Sequence, residues 1–146
     1  MISATTDLSL ELANELRPVV LRIARQLRKE TEQFGVTSRQ ATLLQIVASR
    51  PGLTLRALAE AEAISAPALS GHVDRLETSE LLVRVRSDVD RRRVGLELTA
   101  KGEQLLKSIR ARRTAWLAEQ LEALDPSELR ALQSAIGPLQ AVAGIE

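Results

Sequence analysis

The sequence predicts a mostly α-helical protein with one small β-hairpin, and three observations lead to this class. Apolar residues recur at helical spacing over most of the 146 residues, whereas residues 81–87 and 94–99 alternate apolar with polar side chains, as strands do. The only aromatic residues are one phenylalanine and one tryptophan, so the core must consist of leucine, isoleucine, valine and alanine, which suits helices. A chain of this length has room for one domain, with or without an accessory element.

The first helix is expected over about 8–33, where Leu12, Leu16, Ile23 and Leu27 share one face. Pro18 lies inside it and, because proline has no N–H group, is expected to kink or locally break the helix. A second helix is expected to begin after a cap at Thr37 or Ser38 and to end before the Pro-Gly pair at 51–52.

Two short helices follow, separated by a brief turn at residues 63–64. Thr54 is expected to cap the first, at 55–62, and Ser65 the second, at 65–78, with Pro67 in its first turn. The buried stripe of the second helix is expected to be Leu69, Val73 and Leu76. This arrangement is a helix-turn-helix.

The two predicted strands flank residues 88–93, which become a hairpin tip. Thr99 is expected to cap a long helix over about 100–122. Asp125, Pro126 and Glu128 form a capping sequence for a final helix to about 143, with a kink expected at Gly137-Pro138.

Composition excludes several classes of function. The chain has no cysteine and one histidine, so thiolate and histidine-rich metal sites are excluded and no cofactor is expected. Neither a secretory signal nor an apolar run near the roughly 20 residues of a membrane span is found, which predicts a cytoplasmic protein with no membrane partner. Ser70, His72 and Asp74 alternate around one helix and cannot converge as a catalytic triad does, so an enzyme is not expected.

Positive charge is concentrated near the hairpin, although the whole chain has a formal charge of only +1. Residues 81–94 hold five arginines and two aspartates, and Arg91, Arg92 and Arg93 are consecutive at the tip. A helix-turn-helix followed by such a hairpin is a winged helix. Its second helix fits the major groove, and the tip arginines can reach phosphates or the minor groove. Double-stranded DNA is therefore the predicted partner.

The stretch "SAPALSGHVDRLETSELLVRVRSDVDRRRVGLELTAKG" resembles the MarR-type transcriptional regulators. The wing of that family follows approximately D-x-R-D-R-R-x-x-x-x-x-L-T-x-x-G, which is matched here by Asp90-Arg91-Arg92, Leu98-Thr99 and Gly102. The resemblance covers roughly residues 8–143. Gly71 and Glu80 depart from it, since the family often has arginine at the first position and usually glycine at the second.

The resemblance implies an intertwined helical homodimer, with residues 1–37 and 105–146 as the dimerisation region and 38–104 as the winged helix-turn-helix. It implies a sequence-specific regulator, expected to be a repressor, that binds a pseudo-palindromic operator and releases it when a small-molecule effector binds. The matching positions also imply a salt bridge between Asp74 on the recognition helix and Arg92 in the wing. Asp90 is expected to orient the arginines or to shape the turn.

The side chains that face away from the buried stripe, together with the wing tip, are the expected DNA contacts: Ser65, Ala66, Pro67, Ser70, Gly71, His72, Arg75, Arg91, Arg92 and Arg93. Ser65 also fits a pure helix cap, His72 a half-exposed surface residue and Arg75 a surface ion pair. Trp116 is expected in the core or dimer interface, with a ligand cavity as the alternative, and Phe34 is expected to border a pocket.

Two other functions stay open on the sequence alone. One is a winged helix that binds proteins, and the other is a nonspecific architectural DNA-binding protein. The arginine tip argues against the first, because a protein interface does not need three consecutive cations. Salt dependence of DNA binding and competition with unrelated DNA separate these alternatives.

Overall fold

The computed structural model describes residues 2–145, with side chains from residue 4 onward. Within these residues the elements are α1 Ile2–Glu32, α2 Ser38–Ser49, β1 Leu53–Thr54, α3 Leu55–Glu62, α4 Ala66–Thr78, β2 Leu82–Arg86, β3 Val94–Leu98, α5 Ala100–Leu121 and α6 Pro126–Ala143. The predicted helical fold with a β-hairpin is confirmed. Met1 and Glu146, the ends of the predicted dimerisation region, lie outside the described residues.

The predicted starts of five helices are confirmed because each depends on a local cap. The cap residues have extended backbones and accept a hydrogen bond from a first-turn N–H, and they are Thr37, Thr54, Ser65, Thr99 and Asp125. At α6 the hydroxyl of Ser127 and the backbone N–H of Glu128 donate to Asp125, which lowers the pKa of that carboxyl. These contacts fix where α2, α3, α4, α5 and α6 begin.

Helix α1 is longer than predicted, since it begins at Ile2 rather than near residue 8. It runs without interruption through Pro18, so of the two expected effects of this proline, a kink or a local break, the break does not occur. Helix α6 likewise continues through Pro138. Each proline removes one N–H from the helical ladder, and the neighbouring turns retain helical geometry.

The sheet has three antiparallel strands in the order β1-β3-β2. Strands β2 and β3 form the predicted hairpin, with Arg84 opposite Leu96. Strand β1 adds a third strand that the sequence analysis did not predict, pairing Leu53 with Leu96 and Thr54 with Gly95. Its two residues are too few to show an alternating pattern.

The buried apolar core lies entirely between Val36 and Ile109. It joins α2, the helix-turn-helix, the sheet and the first half of α5, and its members with no more than 1% exposure are Leu43, Leu44, Val47, Leu58, Leu69, Val73, Leu76, Leu82 and Leu96. The buried stripe predicted for α4 is therefore confirmed. This core holds the winged helix as one packed unit.

The two terminal helices bury little of their apolar surface. No residue of α6 is buried, and the exposed apolar residues of that helix include Leu129, Leu132, Ile136, Leu139 and Val142. Helix α1 similarly exposes Leu8, Leu12, Val19, Val20 and Ile23. An isolated chain would leave both faces in water, which is unfavourable for such large contiguous apolar surfaces.

Candidate nucleic-acid interface

A tight turn joins α3 to α4 and orients the second helix. Ala63 ends α3 in the left-handed conformation, with φ of 52°, and its N–H bonds back to Glu60 at 3.3 Å. Ser65 then starts α4 by accepting the N–H of Ala68 at 3.4 Å. The turn is thus closed by backbone bonds and a single side-chain cap.

The outer side of α4 presents the residues that the sequence analysis expected in the groove. Ser65, Ala66 and Pro67 are exposed at its N-terminus, while Ser70 and Gly71 are half-buried one turn further on. The predicted cap role of Ser65 is confirmed, and its hydroxyl is also exposed. Residues at the N-terminal end of a recognition helix are the ones that contact base edges in helix-turn-helix proteins.

Gly71 lies in the interior of α4, where glycine costs about 1 kcal/mol relative to alanine. A Cβ added there would meet no protein atom within 4 Å, so packing inside the described chain does not require glycine at this position. The missing side chain leaves an open space on the outer surface of the helix.

His72 is half-buried, and its Nδ1 is buried without a hydrogen-bond partner among the described residues. Asp74, two residues further, is paired with an arginine of the wing instead. The Ser70, His72 and Asp74 side chains form no hydrogen-bonded chain among the described residues.

The wing tip is folded by its own polar side chains. The hydroxyl of Ser87 accepts the N–H groups of Val89 and Asp90 at 3.2 and 3.3 Å. The carboxylate of Asp90 accepts the N–H of Arg92 at 3.0 Å, and the carbonyl of Asp90 accepts the N–H of Arg93 at 2.9 Å. Asp90 thus shapes the turn rather than pairing with a guanidinium, and the turn projects the arginines outward.

Arg91, Arg92 and Arg93 are all exposed. None of the three has a carboxylate within 4.0 Å among the residues that the structure describes. Three neighbouring cations without acidic partners on a hairpin tip form a favourable surface for a polyanion.

The wing is tied to the recognition helix by Arg84, not by Arg92 as the family resemblance implied. Arg84 on β2 donates to Asp74 at 3.0 Å and to Glu77 at 2.9 Å. Asp74 and Glu77 are one turn apart on α4, so the forked guanidinium reaches both. The implied Asp74–Arg92 salt bridge is absent from the described residues, in which Asp74 pairs with Arg84 and Arg92 lies at the exposed hairpin tip.

The base of the wing is anchored to the start of α5. Thr99 donates its hydroxyl to the carbonyl of Glu80 at 2.6 Å, and Lys101 donates to the carbonyl of Ser79 at 3.1 Å. Gly102 packs so closely that a Cβ would overlap the carbonyl oxygen of Leu81. Thr99 and Gly102, which belong to the Leu-Thr-x-x-Gly part of the wing pattern, are therefore needed for the start of α5 to pack against the turn between α4 and β2.

The link through Arg84 is not predicted from the sequence. The alternation of Arg84 with valines indicates only a strand. The available signal was a pair of acidic residues one helical turn apart, Asp74 and Glu77, followed by an arginine on the next strand. This signal identifies Arg84 as the partner of the two carboxylates only when the position of β2 against α4 is known.

Residues 2–145 contain no group of three or more potential metal ligands from histidine, cysteine, aspartate and glutamate. No helix in the described range is long and apolar enough to cross a membrane.

Comparisons with known proteins agree with this geometry. A model of the MarR family matches residues 34–93, from the end of α1 to the wing tip. An uncharacterized HTH-type transcriptional regulator of Mycobacterium bovis is 32% identical over 129 residues, which are 88% of this chain and 90% of that protein. The chain belongs to the MarR family.

Solved MarR-type structures share the whole fold. A MarR family protein from Bacillus stearothermophilus superposes with a TM-score of 0.79 at 23% identity, covering 95% of this chain and 97% of that one. A mutant of MepR from S. aureus bound to an oligodeoxyribonucleotide has a TM-score of 0.71 at 20% identity, covering 90% and 96% of the two chains. The winged helix-turn-helix architecture of this MarR-family regulator is therefore confirmed.

Both aromatic side chains of this MarR-family chain border cavities. Phe34 lines a cavity of about 440 Å³ between the end of α1, the α4–β2 turn and α5, together with Leu81 and Leu105. Trp116 is half-buried and lines an open groove of about 900 Å³ between α1 and α5, beside Pro18 and Leu21. The pocket expected at Phe34 is present, and Trp116 is outside the apolar core.

Proposed function

We propose that this protein is a homodimeric repressor whose two winged helices bind the two halves of a pseudo-palindromic operator. The observation that carries the proposal is the exposed wing tip, whose three consecutive arginines pair with no carboxylate among the described residues, held beside a recognition helix with an accessible outer face. The family membership supports regulation of transcription, and the arrangement of charge supports DNA as the ligand.

The proposed homodimer rests on the unburied apolar faces of α1 and α6. Two copies related by a twofold axis can cover these faces with one another, and such twofold dimers are the commonest oligomers. The axis would also place two recognition helices on successive major grooves, about 34–36 Å apart.

The proposed DNA contacts differ in the part of the DNA that each side chain would touch. Ser65, Ala66, Pro67, Ser70 and Gly71 would lie against base edges and the backbone of the major groove. The tip arginines would bind phosphates or enter the minor groove. His72 and Arg75 would contact phosphates at the edge of the groove.

Selection of binding sites from a random double-stranded DNA library, at near-physiological salt, tests this function. Enrichment of a pseudo-palindrome supports a dimeric, sequence-specific regulator. Salt-sensitive binding without enrichment would instead indicate a nonspecific binder, and no binding by intact dimers would indicate a protein-interaction module.

The variant Arg92→Ala tests the proposed role of the wing. Loss of a phosphate contact should weaken binding to all DNA sequences and reduce the slope of log affinity against log salt by about 1. Arg130→Ala, an exposed charge change on α6, is the matched control. Unchanged affinity and salt slope in the Arg92 variant would exclude a DNA contact by this side chain.

A further inference from the structure

A largely apolar cavity of about 720 Å³ lies between α3 and the N-terminal half of the recognition helix α4. Leu55, Ala59 and Ile64 line it from α3 and the turn that follows, and Ala66 and Leu69 line it from α4. Ala66 is also exposed to solvent. The cavity therefore continues the surface of α4 that is proposed to face DNA.

The polar residues of the lining do not disfavour an apolar ligand. Arg56 and Glu60 are one turn apart on α3 and pair with each other at 3.4 Å, and both side chains are largely exposed. Ser70 contributes one hydroxyl group. Among the described residues, no buried side-chain nitrogen or oxygen of this lining lacks a hydrogen-bond partner. The cavity thus presents no unmet charge to its occupant.

The first two turns of α4 lack the side chains that form paired hydrogen bonds with base edges. Residues 65–71 read Ser-Ala-Pro-Ala-Leu-Ser-Gly, so they contain no arginine or lysine for guanine, no asparagine or glutamine for adenine and no carboxylate for cytosine. The exposed side chains at 65–68 offer one hydroxyl, two methyl groups and a proline ring. In the major groove, the apolar group of a base edge is the C5 methyl of thymine.

Short side chains also determine how closely α4 approaches the bases. Ala66 and Ser70 are one turn apart and both border the cavity, while Pro67 and Gly71 form the next row of the helix. A Cβ at Gly71 would meet no protein atom within 4 Å, so the space outside this row is open. Such side chains reach a base edge only at close approach, which would bring a thymine methyl against Ala66 at the border of the cavity.

We propose that Ala66 and the cavity beside it bind the C5 methyl group of a thymine in each operator half-site, and that this contact determines part of the sequence specificity. The inference rests on the proposed function, because it requires the recognition helix to lie in the major groove. Removal of one methyl group from water corresponds to a gain in affinity of about fourfold. The contact involves no charge, so its contribution stays constant as the salt concentration changes.

The test replaces thymine by uracil, one base pair at a time, in the operator obtained by selection from a random library. Uracil keeps the hydrogen-bonding edge of thymine and lacks only the methyl group. At one thymine of each half-site the affinity of the full-length protein, measured by fluorescence anisotropy, should fall about fourfold, and about fifteenfold when both half-sites carry uracil. Cytosine at that position should also weaken binding, and 5-methylcytosine should regain about fourfold over cytosine.

The variant Ala66→Ser tests the protein side of the contact. It places a hydroxyl group against the methyl and is expected to abolish the difference between thymine and uracil at that position. Ala66 is exposed and the cap at Ser65 is unchanged, so the variant is expected to fold. Ala61→Ser makes the same change at an exposed position of α3 outside the cavity and should keep the full difference.

A uracil penalty in the parent and in Ala61→Ser, lost in Ala66→Ser and constant over a salt series, supports the inference. A selected operator without a methyl-sensitive thymine, or an equal penalty in the parent and in Ala66→Ser, overturns it and leaves the proposed function standing. A penalty that disappears at higher salt would assign the effect to phosphate contacts and overturns it as well. Selection that enriches no pseudo-palindrome overturns both the inference and the proposed function.

Discussion

Gly71 is expected to have opposite effects on the stability of the fold and on the affinity for DNA. Its position in the interior of α4 is unfavourable for the helix, and no packing contact within the described chain explains it. A close approach of DNA to the helix backbone would explain it, because a methyl group would then occupy space that the ligand needs.

The variant Gly71→Ala should therefore stabilise the protein and weaken its DNA complex. Urea unfolding should give a gain of about 0.5–1 kcal/mol. Affinity for the selected operator should fall by roughly 1–3 kcal/mol, the usual cost of overpacking a close contact. A stabilised variant with undiminished affinity would show that DNA does not approach Gly71 closely.

Glu80 occupies a backbone position suited to glycine. Its φ is 61°, in the left-handed region, at the turn between α4 and β2. The carbonyl of Glu80 accepts the Thr99 hydroxyl, so the turn is held in place although its residue is unfavourable there. A glycine at this position would adopt the left-handed conformation without a Cβ clash.

Glu80→Gly should stabilise the fold by up to about 1 kcal/mol, because relief of the left-handed conformation exceeds the added flexibility of the unfolded chain. Chemical denaturation of both proteins measures the difference. The control is Ser79→Gly at φ of −79°, which should only destabilise. Loss of stability in the Glu80 variant would mean that its side chain makes a contribution larger than the backbone cost.

Among the elements, β2 and α4 are coupled through Arg84. The arginine neutralises two carboxylates on the helix that is proposed to face DNA phosphates. The pairs are partly exposed, so their contribution to the free energy of unfolding is small. Their main effect is expected on DNA binding, where two uncovered negative charges would repel the phosphates.

Arg84→Met should accordingly leave the unfolding free energy within about 1 kcal/mol of the parent and weaken DNA binding most strongly at low salt. Fluorescence anisotropy over a salt series measures this. Adding Asp74→Asn and Glu77→Gln to the same chain removes the repulsion and should restore affinity. If the triple variant does not regain DNA affinity, the ion pairs act by setting the position of the wing. Unaltered DNA affinity in Arg84→Met would contradict both roles.

The elements differ in how far the sequence predicts them. Helix starts at Thr54, Ser65 and Thr99 are predictable because a cap is a bond between near neighbours. Strand β1 is not, since its two residues become a strand only by pairing with β3. The partner of Asp74 depends on how β2 lies across α4, and the family pattern alone gave the wrong arginine. The groove-facing side of α4 follows from its buried stripe, but actual DNA contacts do not.

At the scale of the whole molecule, the proposed dimer would cover the exposed apolar faces of α1 and α6. Ile136 on α6 is 52% exposed and lies among other exposed apolar residues. Ile136→Glu should dissociate the proposed dimer, since each protomer would lose roughly 2 kcal/mol of apolar burial and place a charge in the interface. Sedimentation velocity measures the change, and DNA affinity should fall with it.

Gln133→Glu adds the same charge to an exposed site of the same helix and provides the matched control. Far-ultraviolet circular dichroism should show that the winged helix stays folded in both variants, because the core lies between Val36 and Ile109. A dimeric Ile136→Glu protein would place the interface elsewhere.

The separation of the core from the terminal helices has a consequence for how the protein exists in a cell. A winged helix with its own core can fold as a unimolecular event, whereas in the proposed dimer the apolar faces of α1 and α6 are buried only when a second chain binds. Melting temperature should then rise with protein concentration. At low protein concentration the proposed dimer would dissociate, and the apolar faces of α1 and α6 would then be exposed to proteases and chaperones.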